Sequence, residues 1–158
     1  MRRRVNGWCE RTALLLAVAT FVTAAAVRNA VAQTTPVGLW NTISDTDGRP
    51  TAVVEIQEVN GELVGTVRGL LVPADPEDSI CTKCSGDRKD QRIVGMEILR
   101  HMRPDGDNHW SGGEILDPEN GKTYRANMKL TDDGKKLVLR GYIGISLFGR
   151  SQTWVRAQ

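Results

Sequence analysis

Hydrophobic and polar positions along this chain alternate in short runs separated by turn residues, and no stretch after residue 32 keeps a helical period. Tyr124, Ala126, Met128 and Leu130 are apolar while Arg125, Asn127 and Lys129 between them are polar. That unbroken period of two puts one face of a strand in a core and the other in water. Val54 with Ile56, and Leu137 with Leu139, repeat the pattern. Between the runs stand residues suited to tight turns. Asn60-Gly61 separates residues 52–59 from 62–69, and a two-residue hairpin turn of this kind needs positive φ at both positions. Asp132-Asp133-Gly134 divides 123–131 from 135–143, Pro118-Glu119-Asn120-Gly121 follows 110–116, and Asp45-Thr46-Asp47-Gly48 ends the segment 37–43. With 92–100 and 150–156 added, the spacing predicts an all-β domain of about eight antiparallel strands in up-and-down meander order.

A sheet apolar on one face, with no helix to cover it, must fold over or close on itself, and closure also removes unpaired edges. Gly65, Gly69, Gly95, Gly112, Gly113 and Gly141 fall inside strand patterns, where glycine tends to mark a bulge or a barrel corner. A closed barrel is therefore the expected architecture.

The front of the chain has a different composition. Arg2, Arg3 and Arg4 precede a charge-free apolar run over residues 12–26, and Ala30-Val31-Ala32 supplies a small-x-small cleavage pattern. This reads as a signal peptide over residues 1–32, because the apolar run is shorter than the roughly 20 residues a membrane-spanning helix needs. A polar lead, 33–36, then enters a single domain over 37–157. Removing the leader's five arginines (Arg2, Arg3, Arg4, Arg11, Arg28) and its one acid, Glu10, turns the formal charge of +2 into −2, from 16 basic and 18 acidic side chains in 126 residues. No basic stripe for nucleic acid remains, and the length suits one domain. The expected product is periplasmic or secreted, with no membrane span in its mature part.

Cys9 lies in the leader, which leaves Cys81-Thr82-Lys83-Cys84. In an oxidising compartment this pair is expected as a disulfide. The alternatives are an envelope redox protein or a metal site using the same loop. The first lacks the strand–helix setting of thioredoxin-like motifs, and the second lacks four ligands at a zinc spacing, since His101 and His109 are distant and read as surface residues. No nucleophile–histidine–acid order stands out, so no enzyme activity and no cofactor are expected.

Two connections exceed a tight turn. Residues 71–91 hold the cysteine pair, and long loops in compact domains are often functional. Gly144-Ile145-Ser146-Leu147-Phe148-Gly149 sets Ile145, Leu147 and Phe148 between glycines; such a loop either closes inward as a lid or contacts a partner, and inward packing is the expectation. Glu97, Glu114 and Arg140 lie among apolar neighbours; they either face solvent on a two-sided strand or are candidates for polar groups facing the barrel interior, where a carboxylate would have its pKa raised unless an arginine met it.

The two ends of the domain, Gly38-Leu39-Trp40 and Gln152-Thr153-Trp154-Val155-Arg156, resemble the calycin pattern of lipocalins. There an indole from the first strand closes one end of the barrel beneath an arginine of the last. The resemblance implies that role for Gly38, Trp40 and Arg156. A second resemblance covers nearly the whole domain. Its residues are Gly38-Leu39-Trp40, Cys81-x-x-Cys84-x-Gly86, Val94-Gly95-Met96-Glu97-Ile98-Leu99, Trp110-x-Gly112-Gly113-x-Ile115-Leu116-Asp117-Pro118, Gly121-x-x-Tyr124, Leu139-Arg140-Gly141-Tyr142-Ile143-Gly144 and Gly149-Arg150-Ser151-Gln152-Thr153-Trp154. In that order they resemble the bacterial exported domain-of-unknown-function family 2147. The implication is a small exported barrel with no assigned reaction. The expectation from the whole sequence is a binding or structural module of the bacterial envelope for a small apolar ligand or a partner protein.

Overall fold

The computed structural model describes residues 35–72, 76 and 78–158. The expected leader, residues 1–32, and positions 33 and 34 of the lead lie outside the described residues. Eight strands follow one another: β1 (Gly38–Ile43), β2 (Pro50–Val59), β3 (Glu62–Leu70), β4 (Glu97–Pro104), β5 (His109–Asp117), β6 (Lys122–Thr131), β7 (Lys136–Tyr142) and β8 (Arg150–Arg156). Each pairs antiparallel with its predecessor, and β8 pairs with β1, so the sheet is a closed barrel. The seam consists of Trp40 opposite Arg156, Asn41 opposite Val155 and Thr42 opposite Trp154.

The turns form where the sequence places them. Asn60 and Gly61 both adopt positive φ, 53° and 81°, between β2 and β3, and Val59 faces Glu62 across the turn. Strand β4 differs from expectation. It starts at Glu97 rather than near Arg92, which instead makes an isolated bridge to Ile80. Its period is broken at His101, whose φ is 59°. Thr66 pairs with Glu97, Gly65 with Leu99 and Leu63 with Met102, so β4 absorbs two extra residues against β3, and Ile98, Leu99 and Met102 are all buried.

The strand ends sort the connections onto two ends of the barrel. Residues 60–61, 105–108 and 132–135 lie at one end with the incoming lead. Residues 44–49, 71–72, 78–96, 118–121 and 143–149 lie at the other. Toward the first end Trp40, Val54, Ile56, Leu99, Met102 and Leu137 are fully enclosed.

Candidate functional site: a closed end, a cavity and its mouth

Trp40 closes the first end. It is completely buried, and its indole Nε1–H donates to the Pro36 carbonyl at 2.7 Å. Across the seam the Arg156 guanidinium lies 4.2 Å from the centroid of the Trp40 ring. It also donates from Nε to Gly134 O at 2.7 Å, from Nη1 to Val37 O at 3.0 Å and from Nη2 to Thr35 O at 2.7 Å. One side chain thus ties the lead, the first strand and the β6–β7 turn together. Partial burial holds its pKa below the ordinary arginine value. Gly38 has a steric reason to be glycine: a Cβ there would stand 2.9 Å from Arg156 Nη1, at a φ of 129° that side chains rarely adopt.

Above this plug the barrel is hollow. A cavity of about 740 Å³ opens toward the other end. One wall is apolar, formed by Val67, Leu70, Ile98, Ile115 and Leu139. The facing wall, from β1, β2 and β8, carries Thr42, Thr51 and Gln152. These polar groups are held in place. The Thr42 and Thr51 hydroxyls lie 2.6 Å apart, the Ala52 amide donates to Thr42 Oγ1 at 3.0 Å, and Gln152 Nε2 donates to Ile43 O at 3.1 Å. Trp154, two residues from Arg156, lines the cavity and donates its indole N–H to Gln152 Oε1 at 2.9 Å.

The mouth is framed by the loops the sequence marks as unusual. Cys81 and Cys84 form a disulfide, with the residues 1% and 3% exposed. Cys81 Sγ lies 3.4 Å from Pro118 O, a van der Waals contact because a disulfide sulfur has no proton to donate. The Lys83 ammonium donates to Glu119 O at 2.8 Å. Gly121 lets the two loops meet: a Cβ there would come within 2.0 Å of Lys83 O. Arg88 fixes the other flank of the long loop against the barrel wall, donating to Glu114 Oε1 and Thr123 Oγ1, both at 3.3 Å.

Three candidates for interior polar groups are corrected by the structure. Glu97, Glu114 and Arg140 do not face the interior. Glu114 pairs with Arg100 and Arg125 on the outer face, while its neighbour Ile115 pairs with Leu99 and Tyr124. Glu97 is exposed and accepts from Arg100 Nε at 3.1 Å. Arg140 alternates with the inward Leu139 and holds the β7–β8 loop, donating to the carbonyls of Ser146 at 2.7 Å and Leu147 at 3.0 Å. That clamp accounts for a further difference: Ile145, Leu147 and Phe148 are not packed inward but are 60%, 75% and 79% exposed. Only Phe148 of the three borders the cavity. His101 and His109 are exposed.

The sequence reading passed over Thr42, Thr51, Gln152 and Arg88. Thr42 carried a signal, being a polar residue at the inward step after Trp40. Thr51 carried none, because it is turned toward the cavity by the register shift between Thr42 and Ile43.

Residues 38–156 match the family described as uncharacterized protein conserved in bacteria, DUF2147. The chain belongs to this family. Among curated proteins none matches it. Among solved structures it is similar to the Helicobacter pylori protein HP1028, described as belonging to the lipocalin family. The TM-score is 0.69 at 18% identity, over 79% of this chain and 84% of that one. At that identity the likeness concerns the fold: this DUF2147 member is a lipocalin-like closed barrel.

Proposed function

We propose that this DUF2147 barrel is an exported carrier that holds one small, largely apolar molecule in its upper half. The observation that carries the reading is the cavity of about 740 Å³, inside the range of sites that enclose small organic ligands. An apolar wall faces a short polar stripe, an arrangement that binds by area and orients by a few hydrogen bonds. Export rests on the leader pattern of residues 1–32, and its expected product begins at Gln33. The competing reading, redox or metal chemistry at Cys81 and Cys84, loses support from their burial, because a reactive cysteine needs an accessible sulfur.

Native mass spectrometry of the protein isolated from its own cell envelope tests the reading. The expected spectrum contains the chain plus a noncovalent small-molecule mass, and N-terminal sequencing begins at Gln33. The adduct should vanish in Ala52→Trp, which fills the cavity. A bare chain, together with failure to take up any neutral lipophilic dye, would refute the carrier reading.

A further inference from the structure

Resting on that reading, we propose that the cavity selects lipophiles that carry no negative charge, because its lining is uncharged in depth and its lip is acidic. Among the described residues, the ionisable acids and bases that line it, tyrosines aside, are four at the mouth: Asp45, Asp117, Glu119 and Arg150. Arg150 is committed to Asp45, donating from Nε to Oδ2 at 2.7 Å. Asp117 takes only neutral donors: the Glu119 amide at 3.0 Å and Asn120 Nδ2 at 2.7 Å. Those contacts orient its charge without cancelling it. Lys83, at the outer side of the same turn, reaches the Glu119 carbonyl rather than a carboxylate. All three acids are near enough to Arg150 to raise its pKa, Asp45 most.

An anionic ligand therefore meets an obstacle at either depth. Deep in the barrel its head finds the Thr42, Thr51 and Gln152 groups but no cation, and an ionised carboxylate is costly to bury without one. At the lip it meets three carboxylates and one guanidinium already paired. A neutral hydroxyl or amide head can reach the polar stripe, and an ammonium can remain at the lip beside Asp117 and Glu119.

Displacement of the neutral dye N-phenyl-1-naphthylamine from the full chain by dodecanol, dodecylamine and dodecanoate separates these cases. At about pH 7 the amine is cationic and the acid anionic. At low ionic strength the alcohol and the amine should displace the dye at concentrations about tenfold below that of dodecanoate, a gap that added salt narrows. Asp117→Asn with Glu119→Gln should bring dodecanoate to within about threefold of dodecanol, and unchanged dye affinity in that variant shows that the cavity is intact. Dodecanoate binding as well as dodecanol overturns the charge selection, and a gap that survives the double substitution overturns the part assigned to the acidic lip; either result leaves the carrier reading standing. A dye that does not bind at all overturns both.

Discussion

Arg156 and Trp40 face each other across the seam of the barrel, guanidinium over indole at 4.2 Å. The pairing does more than add a cation–π contact of roughly 0.5–2 kcal/mol. The same guanidinium holds three backbone carbonyls, two of them from the lead and the start of the domain. Truncating each partner should therefore give different costs. Trp40→Ala is expected to lose about 3–5 kcal/mol in denaturant unfolding, as for a large buried aromatic, and Arg156→Ala about 1–3 kcal/mol for the freed carbonyls. Equal losses in the two variants would contradict this division of labour.

The cysteine loop should be dispensable for the barrel and necessary for the shape of its mouth. A disulfide that closes so short a loop contributes about 2 kcal/mol in the chain-entropy account. Cys81→Ser with Cys84→Ser is expected to leave the far-ultraviolet circular dichroism unchanged while raising amide hydrogen exchange at Cys81 and Asp90, whose N–H groups bond within that loop. Collapse of the whole fold in this variant would show that the loop holds more than the mouth.

Gly121→Ala should undock the same loop by a different route. The added methyl would overlap Lys83 O, and the position has a φ of 73°, so strain and collision act together, at about 1–3 kcal/mol. The check is a combined measurement of thermal unfolding and exchange at Lys83 and Cys84, both expected to move. A neutral result would mean that the two loops do not touch in solution.

Acid should weaken the closed end through Glu62. Its carboxyl is held below its ordinary value of 4.5, first by His101, at 2.9 Å, and then by Arg103. A carboxylate with a lowered folded-state pKa contributes stability above its unfolded pKa and loses it as pH falls through the folded one. Asp87, lowered chiefly by Arg100, acts in the same direction. Unfolding curves collected from neutral pH down to below the ordinary carboxylate range should show a shallower acid loss in Glu62→Gln than in the parent chain. Parallel slopes would remove Glu62 from the account.

Releasing the β7–β8 loop should alter ligand exchange more than stability. Arg140→Met removes the hydrogen bonds to Ser146 O and Leu147 O while retaining an outer-face side chain. Stopped-flow release of a bound dye is expected to change severalfold, since Phe148 borders the cavity. An unchanged release rate would place the loop outside the ligand's path.

The legibility of this barrel in its sequence divides along physical lines. Strand β6 alternates without error, and each of its buried residues lies where period two puts it. Strand β4 is harder to read: Arg92 is drawn off to bridge Ile80, and two register shifts against β3 leave the buried Ile98, Leu99 and Met102 with no simple period. The same parity problem hid the outer position of Glu114, whose face can be assigned only from its partners on β4 and β6. The Trp40–Arg156 plug was visible because both residues belong to a recognisable end pattern. The cavity was not: an inward apolar position reads alike whether it meets a neighbour, as Leu137 does, or empty space, as Ile115 does. What distinguishes them is the height of the residue in the barrel, which depends on the stagger of all eight strands together.

The seam between β1 and β8 sets the order in which this chain can assemble. Seven of the eight strand pairings join neighbours in sequence, and only the pairing of Trp40, Asn41 and Thr42 with Arg156, Val155 and Trp154 joins opposite ends. The consecutive hairpins can form as an open, curling ribbon whose loop closures are local and fast, whereas the last pairing must gather more than a hundred residues of chain. The hollow exists only after that final step. A chain exported unfolded, as proposed, would thus acquire the proposed binding cavity all at once, when its two ends meet.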